Sequence, residues 1–232
     1  SGGGSPRQVL SQGLRGDIGK GERAAKRGRR GFTEPMPDGK GVRPSSSTTR
    51  KCKALWNICT QEGMTSNVVS WFVGHPAEPI KGVCVSEMFR SAPIDKKNPQ
   101  STELPELPPQ SVHPVSMRDA LAELRLHPGE LTEAEILPFM PNAAKINRSK
   151  DSRLQQFAKL FSEMINTHNA ATHLIENTDW DFMGVYVDAI DHFGHAFMEY
   201  HPPRMEHVSE EDFEIYQDII AGVYKFHDLM LG

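Results

Sequence analysis

In its last quarter the chain carries Asp188, Asp191, His192 and His195 in the string DAIDHFGH, directly behind the apolar run FMGVYV. Asp191 and His195 are four residues apart, and so are Asp188 and His192. Residues four apart share one face of a helix, so Asp191 and His195 can hold one cation between a carboxylate oxygen and an imidazole nitrogen. That donor pair suits Zn²⁺, Mn²⁺ or Fe²⁺. Asp188 and His192 lie on a face turned by about 100°, where they can support the first pair or form a second. The competing reading is plain: acidic residues favour a helix start in any case. Two ligands also fall short of the ~4 that a zinc site requires.

His75, in the loop GHPAEPIKG, is a weaker candidate for touching substrate or metal. His201, in YHPPR, is expected to end a helix before its proline pair.

These residues need elements to position them. The run 182–187 reads as a buried strand, and NVVSWFV (67–73) reads as another, short, β-branched and aromatic. Both are expected to be central parallel strands. Ligands in open α/β sheets sit at the carboxyl ends of such strands, which is where Asp188 to His195 fall. Ala54, Leu55, Ile58 and Cys59 repeat at helical spacing and predict a helix over 52–62, stopped by Gly63. Leu154, Phe157, Leu160, Phe161, Met164 and Ile165 form one apolar stripe, continued by Ala170, Ala171 and Leu174, and predict a helix over about 152–175. A shorter helix is expected over 116–126, with Ser116 as its cap, and a last one over 209–231, opened by Ser209 and Asp212. Residues 91–114 hold six prolines and few apolar residues, so they read as an exposed excursion.

The 232 residues suffice for one domain with a sizeable core or for two small ones. The charge is polarised. Residues 1–51 hold 12 Lys/Arg against 4 Asp/Glu and 11 of the 19 glycines, whereas the remaining 181 residues are strongly acidic and bring the net charge to −4. The first 30 residues therefore read as a basic, Gly/Arg-rich, poorly ordered segment. It has no aromatic residue to stack on a base, so nucleic acid is not an expected partner. Steeply salt-dependent nucleic-acid binding lost with residues 1–51 would be the mark of the opposite reading. No apolar stretch approaches the ~20 residues of a membrane span, and no membrane partner is expected. The opening SGGGSPRQ lacks both the apolar core of a secretory signal and an initiator methionine, as a fragment would. Three cysteines cannot all pair with one another and show no CxxC spacing, so a reducing cytoplasm is the expected compartment.

Two long strings, VSWFVGHPAEPIKGVCVSEMF (69–89) and WDFMGVYVDAIDHFGHAFMEYHPPRM (180–205), together with GFTEPMPDGKGVRP (31–44) and KALWNI (53–58), carry a resemblance. They resemble the type I phosphodiesterase/nucleotide pyrophosphatase group of the alkaline phosphatase superfamily, from about Gly31 onward. The resemblance implies an α/β fold with a central, mostly parallel sheet flanked by helices, incomplete at both ends. It would form a partial catalytic domain over 31–232 with a substrate-shaping insertion at about 91–150. It also implies a centre of two divalent metals, usually zinc, and hydrolysis of small phosphorylated substrates through a covalent phospho-enzyme. Asp191 and His195 match the family's DxxxH, which supplies two ligands to one metal. The family's other ligands have no counterpart between Ser1 and Gly232. Aligned without gaps to the family's LSPxLWTSIATGKxxxKHGIxGFTEP, residues 10–35 put Ser11 at the nucleophile position, with Arg15, Lys20 and Arg27 replacing the family's Trp, Thr and His. The alternative kept beside this reading is a catalytically inactive metal-binding or interaction fragment of the same fold.

Overall fold

A computed structural model of the chain describes residues 33–36, 38, 40–92 and 101–232. Ser11 and the whole basic segment 1–30 lie outside the described residues, as do 93–100 within the excursion. The architecture is α/β: a mixed four-stranded sheet flanked by helices, with a separate two-stranded antiparallel ribbon of β1 (Thr33–Pro35) and β2 (Val42–Pro44).

Helix α1 (Leu55–Gln61) ends as Gly63 foretells. Gly63 sits at φ +78°, and the Met64 and Gly63 amides donate back to the Cys59 and Thr60 carbonyls, a Schellman stop. The chain turns directly into β3 (Ser66–Trp71), whose first five residues are all buried. β4 (Gly82–Ser86) runs parallel to β3. Gly82 starts it at φ +122°, where a Cβ would lie 2.1 Å from the Ser66 carbonyl oxygen, so only glycine allows the two strands to meet there. The pleat sends Val69, Val83 and Val85 to one face and Val68 and Cys84 to the other. Trp56 and Ile80 cover the second face, while Phe89, Leu121 and the end of a long helix cover the first.

That helix is α4 (Arg153–Asn177), and its apolar stripe is the one seen in the sequence. Ala170, Ala171 and Leu174 lie against the sheet, while Phe157, Leu160, Phe161 and Met164 lie in a second core of helices. Between β4 and α4 come the short α2 (Arg118–Ala122) and α3 (Glu133–Ile136). After α4 follow β6 (Phe182–Val185), α5 (Ala189–Phe197), α6 (Glu210–Tyr216) and α7 (Ile219–Leu231). Arg153 joins α4 to α6: its guanidinium bonds Asp151 and Asp212 at 2.7 and 2.6 Å and stacks 4.3 Å over the Tyr216 ring.

Several expectations are corrected. The sheet order is β5-β4-β3-β6, with β5 (Val112–His113) antiparallel to β4. β6 pairs in parallel with β3 but forms an edge of this sheet rather than its centre. Strand 67–73 stops at Trp71, because Ser70 bulges at φ 55° and Val73 turns at φ 56°. The excursion is not all exposed: Leu107 and Val112 are buried, and Phe139, Met140 and Ile146 farther along belong to the helical core. Ser116 caps nothing; it lies inside a 3₁₀ turn, and the helix it was expected to open shrinks to five residues. The last helix is broken at Gln217–Asp218, where Tyr216 is held by Asp151 and the chain redirects so that Gly222 can lie on Phe139.

Candidate metal-binding site

The Val69 carbonyl still accepts a bond from the Tyr186 amide at 3.0 Å, so the parallel pairing of β3 and β6 continues one residue past the strand. Asp188 then stands at the start of α5, and its carbonyl accepts the first helical bond, from the His192 amide. The segment turns helical just where the Asp/His string begins, so the i, i+4 pairs share faces as the spacing predicts.

Asp191 and His195 face solvent. Asp191 Oδ1 and His195 Nε2 are 3.6 Å apart, with side chains 71% and 80% exposed. The pair is close enough to share an ion, but the expectation that both point into one cavity is corrected. The narrow cleft beside α5 is lined instead by Asp188 and His192, with Arg90, Glu163 and Thr167 from neighbouring elements. Among the described residues β6 is an edge strand, paired only with β3.

Asp188 is committed elsewhere. Arg90 grips both of its carboxylate oxygens, one pairing at 2.7 Å, and the two side chains are only 9% and 13% exposed. His192 Nε2 lies 3.9 Å from the same carboxylate. Arg90 is itself fixed, because its carbonyl accepts from Asn166 Nδ2 at 3.0 Å. Asn166, wholly buried on α4, also bonds both polar backbone groups of Leu126. Asp188 therefore orients the start of α5 rather than offering free ligand atoms. Sequence reasoning missed Arg90 and Asn166; Arg90 and Asp188 are 98 positions apart, and no local spacing could announce their pairing.

The loop 74–81 shows what the HPAEP string does. Glu78 accepts bonds from Arg50, Asn57 and the Trp56 indole. Burial pushes the Glu78 carboxyl up, yet these donors outweigh it and hold the group below its ordinary value. His75 Nδ1 lies 3.2 Å from Ser86 Oγ, so this half-buried histidine is tied to the end of β4. His201 ends a 3₁₀ turn before Pro202, as expected. At the carboxyl ends of β3 and β6 the rings of Trp56, Trp71, Tyr186 and Phe72 form a chain of contacts 5.4 to 6.3 Å between centres. Cys84 is buried, and burial raises its thiol to about 11, which leaves it inert as a nucleophile.

Among the described residues no three or more His, Cys, Asp or Glu side chains converge as a metal cage. None of the described helices is long and apolar enough to cross a membrane. No family model matches the chain, and neither a curated protein nor a solved structure matches it.

Proposed function

We propose that the chain is a metal-dependent hydrolase of phosphate esters, of the phosphodiesterase/nucleotide pyrophosphatase type, built on an alkaline phosphatase-like fold. One observation carries the reading. Asp191 Oδ1 and His195 Nε2 lie 3.6 Å apart on one face of α5, just beyond a strand that runs parallel to β3. A carboxylate and an imidazole at this separation fit a divalent cation such as zinc. When bound there, the ion would supply Lewis acidity and neutralise charge on phosphoryl oxygens. The protein's own part is positional. The β3–β6 pairing and the Arg90–Asp188 clamp fix where α5 starts, and the helix then sets Asp191 and His195 on one side. The same reading includes a cytoplasmic location, a small phosphorylated substrate and a covalent phospho-enzyme; its nucleophile position, Ser11, lies outside the described residues.

Zinc titration by calorimetry, run beside hydrolysis of bis-p-nitrophenyl phosphate, tests the proposal. Saturable zinc binding with zinc-dependent hydrolysis is expected, and both should vanish in Asp191→Ala. A wild-type chain that binds no zinc overturns it. The openness of the pair favours one second reading, a catalytically inactive metal-binding fragment of the same fold. Zinc binding without hydrolysis would select that one.

A further inference from the structure

A cleft of about 400 Å³ opens between α3, α4 and α7, and none of its lining residues belongs to α5. Its volume falls in the range of ~300–1,000 Å³ typical of small-molecule sites. Phe139, Phe161 and Phe226 form its floor, their ring centres 4.7, 5.0 and 6.2 Å apart in edge-to-face contacts. Gly222 lets this floor form, since a Cβ there would come within 2.7 Å of the Phe139 ring. Ile165 and Leu229 are its aliphatic walls, and Leu229 is left 75% exposed. Exposing a leucine this far beside three clustered rings leaves apolar surface that a ligand would remove from water.

Two charged residues line the same cleft, and they are not equivalent. Glu135 is already engaged: one of its oxygens accepts from the Thr132 amide and hydroxyl at 2.7 and 2.8 Å, which holds its carboxyl below the usual value. The Lys225 side chain lines the cleft and makes no hydrogen bond or ion pair with any described residue. The uncommitted charge beside this apolar floor is therefore an ammonium. We propose that the cleft binds a single-chain amphiphile with an anionic head, such as a medium-chain carboxylate. Its apolar chain lies on the three rings and against Leu229, and its carboxylate pairs with Lys225.

Calorimetric titration of the full chain with decanoate, below its micelle concentration, tests this, with decanol as the uncharged analogue. Saturable binding of one decanoate per chain is expected. Lys225→Glu should weaken decanoate at least tenfold and leave decanol unchanged, whereas Leu229→Asp should weaken both. Both positions are exposed, and unchanged thermal unfolding of the variants confirms that they fold. The proposal is overturned if decanoate does not bind saturably, or if Lys225→Glu binds it as the wild type does. It is also overturned if sedimentation shows a dimer that Leu229→Asp dissociates, because a second copy would then cover the cleft.

Discussion

Arg90 holds both carboxylate oxygens of Asp188 in a nearly closed contact, and so decides which face of α5 is engaged and which is left open. A guanidinium fork matches a carboxylate in two parallel bonds, and few other pairs fix orientation as firmly. Asp188, the carboxylate of the second Asp–His pair, is thereby consumed by structure, and Asp191 and His195 are left open.

Arg90→Ala should destabilise the fold by about 3 kcal/mol, since removing one partner strands a buried carboxylate. Urea unfolding measures it. A loss below about 1 kcal/mol would mean that the clamp does not hold α5.

The two faces of α5 separate in a zinc titration. Asp191→Ala and His195→Ala should each abolish what zinc binding the chain has, with stability within about 0.5 kcal/mol of wild type because both side chains are exposed. Asp188→Ala should lower stability and spare most of the binding. Equal losses of binding at 188 and 191 would show that the wrong face has been assigned.

His168 and His227 give the fold an acid sensitivity. His168 Nε2 lies 3.1 Å from His227 Nδ1, bridging α4 to α7. Burial, reinforced by His227, pulls His168 down to about 4. Between that value and the ~6.5 of an unfolded histidine, the unfolded chain takes up a proton that the folded chain refuses. The stabilisation is therefore complete above about pH 6.5 and is lost as pH falls towards 4, by roughly 3 kcal/mol at most. Unfolding by urea at pH 7 and at pH 4.5, on wild type and His168→Gln, should show a smaller pH dependence in the variant. Identical dependence in both would remove His168 as the cause.

Two glycines with positive φ should respond differently to alanine. Gly82→Ala forces a Cβ onto the Ser66 carbonyl at the start of the β3–β4 pairing and should cost about 3 kcal/mol or more. Gly63→Ala meets nothing within 4 Å and carries only the left-handed backbone penalty, roughly 1 kcal/mol. Thermal unfolding ranks them, and a larger loss at Gly63 would contradict the packing described for Gly82.

The sequence alone fixed those features that depend on neighbours a few residues away. The apolar stripe of α4, the stop at Gly63, the Ser209 cap that accepts from the Asp212 amide at 3.0 Å, and the shared face of Asp191 and His195 all follow from helical spacing and local backbone chemistry. The apolar runs around Val68 and Gly184 announced two strands of a parallel sheet, but the second is only partly buried, with Gly184 alone of Phe182–Val185 fully buried. Periodicity carries no information about which strand sits at an edge, so the place of β6 beside β3 alone could not be read. Proline content made 91–114 look exposed, yet Leu107 and Val112 close the sheet's core, because a few apolar side chains suffice where the chain crosses a hydrophobic face. The direction of Asp188 was equally hidden: its partner lies 98 residues away and arrives only when Asn166 on α4 draws the Arg90 backbone against the end of the sheet. Local pattern sets which atoms face the same way along one helix. Long-range packing alone decides which of those faces meets a counter-charge and which is left to water.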